Sequence, residues 1–219
     1  MTFAPLLLSL EVATIATLLA TVAGVVLGTV LATSRFRGRD LIDVLVTTPM
    51  ILPPTVLGYY VLGALGRTSV IGRAYESVVG DTIVFTKVGA VIAATIGALP
   101  LVTKAARSAV EGVDPALIAA ARTLGATEAR AFFTIVLPLA SRGVIGGVML
   151  GFARALGDFG VTLMIAGDIP GVTRTAPLAI YGAIQAGREA EAAGMVATLT
   201  AVSVVVLYGV GKLGVRREA

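Results

Sequence analysis

Residues 114–138 read DPALIAAARTLGATEARAFFTIVLP. This is the longest stretch of the chain that does not read as membrane-spanning, and it has the grammar of two helical arms. Asp114 is a cap, and Pro115 suits the first helical position, where no N–H is needed. Ala116 to Leu124 are mostly strong helix formers. Gly125 stands where a left-handed residue stops a helix. Thr127 caps a second arm, Glu128 to Ile135, with Glu128 favourable at its positive end. Pro138 closes the stretch as the next apolar run begins. The pattern predicts an elbow beside a membrane, a shape that another protein can hold.

The surroundings of the elbow are strongly apolar. Of 219 residues, 57% are hydrophobic and 14% charged, and the mean hydropathy is +0.96. Soluble domains carry about 25% charged and 45–50% apolar residues. The composition predicts an all-α integral membrane protein of about five spans, one domain over residues 1–219, with lipid around it. The absence of cysteine excludes disulfides, thiolate chemistry and cysteine metal sites. The absence of histidine removes the commonest general base and transition-metal ligand. The net charge of +4 is no nucleic-acid signal, because the basic residues sit at span ends.

The first apolar run, Pro5 to Ala32, is long enough to cross about 30 Å of hydrocarbon. No basic segment precedes it and it is too long for a signal peptide, so it is predicted to be a retained span. Gly24 and Gly28, four apart, let another helix approach closely. The second span covers about 41–65 and contains Pro49, Pro53 and Pro54, which break helical hydrogen bonding. Broken helix is tolerated at membrane depth where it is buried in protein or lines a cavity. Thr47 and Thr48 offer hydroxyls just before the break. Two readings stand: a segment lining a translocation path and carrying part of its gate, or a kinked packing helix.

Residues 66–81 read as a short external connection or re-entrant helix. The third span covers about 82–103, with Lys87 able to snorkel outward and Pro100 marking its inner end. The fourth covers about 143–167. Gly143, Gly147 and Gly151 form a close-packing stripe on it. Arg154 falls near its middle, at a cost of about 2.5–3.5 kcal/mol. Asp158 lies one turn away on the same face and neutralises it. Arg154 reads either as a group that attracts a passing anion or as half of a structural ion pair. Residues 168–191 read as an external loop with a short helix, and 192–212 as the fifth span.

Charge placement predicts the orientation. With the N-terminus external and the C-terminus cytoplasmic, the inner segments hold Arg35, Arg37, Arg39, Lys104, Arg107, Arg122, Arg130, Arg142, Lys212, Arg216 and Arg217. The outer ones hold Arg67, Arg73, Lys87, Arg174 and Arg188. That bias obeys the positive-inside rule and puts the elbow in the cytoplasm. The chain contains no G-x-x-x-x-G-K-[ST] loop to cradle ATP phosphates. Energy then comes from a partner or an ion gradient. Gradient-driven carriers show paired repeats and buried coupling residues; five spans with no evident repeat disfavour one, and the elbow favours a partner. A membrane-embedded enzyme finds no histidine, cysteine or carboxylate cluster here to work with.

The pattern AA-x3-G-x9-I-x-LP, carried by Ala120, Ala121, Gly125, Ile135, Leu137 and Pro138, resembles the "EAA" loop of membrane subunits of bacterial ATP-binding-cassette (ABC) importers. The glutamate that opens that motif falls at position 119, which is Ala119 here. The runs TTPMILPPTVLGYY (47–60) and GFARALGDFGVTLMIAGDIPGVTRTAPLAIY (151–181) resemble the permease subunit of molybdate importers. Members of that family often carry glutamate where this chain has Asp158. The resemblance implies an ABC type I importer permease in a bacterial inner membrane. It implies a homodimer, two cytoplasmic ATPase subunits that carry the ATP, and an external binding protein that delivers the oxyanion. The chain itself would bind no cofactor and no metal and would catalyse nothing. In this picture a loop of about 107–138, with Ala126 beside the glycine, docks in the ATPase, and Thr47, Thr48, Pro53, Pro54, Arg154 and Asp158 belong to the path or its gate. Tungstate and sulfate are dianions of similar size, and the permease sequence does not choose between them and molybdate.

Overall fold

A computed structural model describes residues 3–34 and 36–215, with side chains to residue 209. Arg35, Arg216 and Arg217, and the side chain of Lys212, lie outside the described residues. Among the described residues every regular element is a helix, with no strand. Three helices make the centre: α1 (Ala4–Thr33), α5 (Lys87–Glu111) and α8 (Leu137–Leu156). Their shared faces are built from small residues. Ala13, Ala16 and Ala20 of α1 meet Ala90, Ala94 and Ala98 of α5, all with no accessible surface. In lipid, helices gain no hydrophobic driving force against one another, so close backbone approach does the packing. A Cβ added to Gly28 would lie 2.7 Å from the Thr103 carbonyl oxygen, and one added to Gly151 would lie 2.9 Å from Val102. Gly143 and Gly147 face Ala109 and Ala105 in the same way, so the predicted glycine stripe is the α8 face that packs on α5.

Among the described residues four apolar helical stretches are long enough to cross a membrane: α1, α5, Glu128–Leu156 and the last helix, α11 (Glu189–Val215), through Gly209. A fifth crossing is counted if α2 (Arg39–Ile51) and α3 (Pro54–Leu65) are one broken span. The sequence predicts one kinked span there. The structure bends the pair by 118°, because Leu52 and Pro53 are both extended and Pro54 starts a new helix. A short amphipathic helix, α4 (Val70–Val79), follows, capped by Ser69, which accepts from the Gly72 N–H, and stopped by Gly80 at φ +78°.

Three boundaries differ from expectation. Pro100 does not end the third span: it is buried inside α5, which runs on to Glu111, since a membrane helix can spare one hydrogen bond where neighbours pack around it. Pro138 does not close the elbow either. The second arm, α7 (Glu128–Ala131), passes through a π turn (Phe132–Val136) directly into α8. Pro138 has no N–H to donate, and the turn ahead of it widens, so that the Leu137 N–H reaches back five residues to Phe132. Finally, the fourth span is not continuous to 167. It stops at Leu156 and restarts as α9 (Gly160–Ala166). An amphipathic helix, α10 (Ala176–Gln185), then leads to α11, and the Ala176 N–H donates to Ser9 Oγ, tying α10 to the start of α1.

Candidate functional site

Two regions carry the residues singled out above. The first is the elbow. Asp114 Oδ1 accepts from the Ala116 N–H at 2.8 Å, and α6 (Pro115–Thr123) starts there. Gly125 has φ +86°. Its N–H donates to the Arg122 carbonyl, and the Ala126 N–H donates to the Ala121 carbonyl, at 2.9 and 3.0 Å. These paired bonds are the glycine stop expected from the sequence. Thr127 Oγ1 accepts from the Arg130 N–H, capping the second arm, and Arg122 pairs with Glu128 across the bend at 2.6 Å. The elbow is anchored from below. Ile118 and Phe132 pack on a cluster of Val110, Val113, Val136 and Ala140, beside Ala32 at the end of α1.

The outward side of the elbow is apolar in places where an isolated chain gains nothing from it. Leu124 is 89% exposed and Phe133 66%. Of the motif residues, Ala120, Gly125 and Pro138 are exposed, and Ala121, Ala126, Ile135 and Leu137 are half-buried. Ala119 is exposed, so a longer side chain at that position would reach away from the protein.

The second region lies where the two broken helices face each other. Pro54, at the start of α3, abuts Gly160, at the start of α9. A cavity of about 240 Å³ opens beside this contact, walled by Pro49, Met50, Leu52 and Leu57 from the α2–α3 side. Gly97 and Leu101 of α5 and Val161 of α9 complete its apolar wall, and among the described residues Arg154 is its single charged lining residue. Arg154 Nη1 donates to Asp158 Oδ1 at 2.8 Å. Asp158 is almost wholly buried, and its other oxygen accepts from both the N–H and the hydroxyl of Thr162, at 3.0 and 2.6 Å. The pair therefore forms as the spacing predicts.

Its setting differs from a mid-helix ion pair. Arg154 occupies the last turn of α8, at the negative end of that helix, and Asp158 precedes α9, at the positive end of the next one. The break stabilises both charges. The signal for it is present in the sequence, where Gly157 followed by Asp158 reads as a stop and a start, although Gly157 keeps a negative φ of −92° and Phe159 stands at the N-cap of α9. Thr162 and Gly97 carry no such signal. Gly97 is recognisable only in space, where a Cβ would lie 3.3 Å from the guanidinium carbon of Arg154.

The remaining path candidates lie next to the cavity and do not line it. The Thr47 hydroxyl donates to the Asp43 carbonyl and that of Thr48 to the Val44 carbonyl. Both hydroxyls are thus satisfied by their own helix, the usual solution for threonine in a membrane helix. Pro53 caps α3 without facing the cavity.

An ionic chain missed by sequence reasoning ties α2 to the end of α5. Asp43 pairs with Lys104 at 2.7 Å and with Arg107 at 3.1 Å. Arg107 also pairs with Glu111, which pairs with Arg39. Only Arg107 and Glu111 stand at a helical spacing; the links from α2 to α5 join residues more than sixty positions apart, beyond the reach of spacing. At the far end of the bundle Lys87, expected to snorkel, pairs with Glu11 at 3.1 Å, and Arg174 pairs with Asp168.

A small-residue helical bundle with a broken-helix cavity at its waist and an anchored, outward-facing elbow defines the membrane subunit of a transport complex. Residues 24–216 match the family described as "Binding-protein-dependent transport system inner membrane component", and the chain belongs to that family. Among its relatives, "Molybdenum transport system permease protein ModB" of Escherichia coli (strain K12) is 45% identical over 188 residues, covering 85% of this chain and 82% of that protein. The protein of the same name in Haemophilus influenzae is 42% identical, again over 85% and 82% of the two chains. That in Mycobacterium tuberculosis is 41% identical, over 94% of this chain and 77% of its own. Among solved structures, a bacterial ABC transporter involved in the import of the acidic polysaccharide alginate superposes with a TM-score of 0.79, covering 99% of this chain and 80% of that one at 14% identity. The MetNI methionine ABC transporter gives 0.69, over 97% and 92%, at 18% identity. These two likenesses are of fold: this is an ABC type I importer permease fold.

Proposed function

We propose that this chain is the permease subunit of an ATP-driven importer of molybdate. Two copies form the membrane part, two cytoplasmic ATPase subunits hold the ATP, and an external binding protein delivers the oxyanion. Residues 1–219 act as one permease domain that itself hydrolyses nothing and binds no cofactor, with the N-terminus outside and the C-terminus inside. The segment 107–138 couples to the ATPase through Ala120, Ala121, Gly125, Ala126, Ile135, Leu137 and Pro138. The path runs along the facing helix breaks, with Pro54, Arg154 and Asp158 beside it and Thr47, Thr48 and Pro53 next to them.

The observation that carries this reading is the elbow. Its glycine stop holds Leu124 out into solvent, while Ile118 and Phe132 fix its base to the ends of α1, α5 and α8. An exposed apolar knob on a braced lever suits a partner that moves. The substrate rests on the relatives' names and on the resemblance of 151–181.

Reconstitution tests it. The chain, its ATPase and its binding protein, placed together in liposomes, should take up labelled molybdate when ATP is supplied. Excess sulfate as competitor tests the choice of oxyanion. Uptake by the chain alone, driven by an ion gradient, would overturn the reading.

A further inference from the structure

We propose that the cavity at the facing helix breaks is a waypoint for the oxyanion, and that Arg154 holds it there through the guanidinium nitrogens that Asp158 leaves open. The inference rests on the transport reading above and adds the group that touches the cargo.

Four observations converge on Arg154. Among the described residues it is the single charged one in an otherwise apolar lining. Its side chain is 35% exposed while that of its partner Asp158 is 2% exposed, so the pair is buried at one end and open at the other. Asp158 engages only Nη1; among the described residues Nε and Nη2 have no hydrogen-bond partner. Finally, the guanidinium lies against Gly97, where the missing side chain leaves it room. A pair that served only to neutralise itself would have no use for an opening. The cavity, at about 240 Å³, is several times the ~30 Å³ share of one water. A planar fork of N–H donors matches the oxygens of a tetrahedral anion.

Asp158 is a positioning residue. Thr162 holds its second oxygen with two hydrogen bonds, so the carboxylate cannot swing into the cavity. Its negative charge also keeps the site close to neutral. An arriving dianion is attracted by the open donors and opposed by the carboxylate behind them. A site of that balance passes an ion on rather than trapping it, as conduction requires.

The test is uptake by the reconstituted full complex as a function of molybdate concentration, with ATP hydrolysis and complex assembly measured alongside. Arg154→Gln should cut uptake at least tenfold while hydrolysis stimulated by the binding protein persists. The double variant Arg154→Gln/Asp158→Asn strands no charge, and its uptake should stay equally low. Asp158→Asn alone should lower both the apparent KM and the maximal rate, because the anion is held too well. Arg154→Lys keeps the charge but loses the fork, and should raise KM several-fold. Recovery of the double variant to within twofold of wild type would show a merely structural pair and overturn the proposal, as would a wild-type KM in Arg154→Lys. If Arg154→Gln fails to assemble, the double and lysine variants decide. A wild-type complex that moves no oxyanion would fail the transport reading itself; transport that is indifferent to these substitutions would fail this inference alone.

Discussion

Pro54 and Gly160 touch so closely that a Cβ on the glycine would lie 2.6 Å from the Cβ of the proline. Each residue opens a helix that restarts after a break, so this one contact locks the two discontinuities together and sets the width of the cavity between them. Gly160→Ala should force them apart. Proline cannot rotate out of the way, and overpacking of this kind costs about 1–3 kcal/mol. We expect a lower unfolding temperature for the detergent-solubilised protein and reduced uptake. Gly146→Ala, where an added Cβ meets nothing within 4 Å, should change neither.

Gly125 poses the opposite problem. Nothing lies within 4 Å of where its Cβ would be, so only the backbone resists substitution. A left-handed conformation costs an L-residue roughly 1–2 kcal/mol, while asparagine visits it readily. Gly125→Val should therefore lose association with the ATPase, with the membrane fold kept, and Gly125→Asn should retain most of it. Co-purification of the two subunits measures the difference.

Leu124 tests the same surface without touching the backbone. Burying a leucine fully is worth about 1.5–3 kcal/mol, or roughly tenfold to a hundredfold in affinity. Leu124→Ser should weaken ATPase binding by that order and leave the thermal stability of the isolated chain unchanged.

Asp43 joins α2 to the last turns of α5, and α5 leads straight into the elbow. Asp43→Asn removes the shared partner of Lys104 and Arg107. It should let α2 slip against α5, so that ATP is hydrolysed with less anion carried. The ratio of phosphate released to molybdate taken up should rise. An unchanged ratio would show the ionic chain to be a passive brace.

The elbow was the most legible part of the chain, because caps and stops are local. Asp114, Pro115, Gly125 and Thr127 act within a few residues of themselves, and each took the role its chemistry dictates. The glycine stripe at 143, 147 and 151 was equally readable, since its spacing alone defines a face. The prolines misled in two places. At Pro100 and Pro138 the sequence shows a missing donor, but neighbouring helices and a widened turn absorb the loss, and neither compensation is visible in one dimension. The break after Leu156 was written in Gly157–Asp158 and obscured by the apolar residues on either side. The cavity depends on Gly97, Leu57 and Val161, which come from three separate helices, and no local rule could bring them together.

The π turn has one mechanical consequence. Because helix continues from Glu128 to Leu156 without a loop, the outer limb of the elbow and the membrane rod form a single crankshaft about 43 Å long. A tilt of about 5° applied at Glu128 would carry the far tip about 4 Å. That tip is the turn bearing Arg154. A force on Glu128 would thus reach the turn of the guanidinium through one unbroken helix.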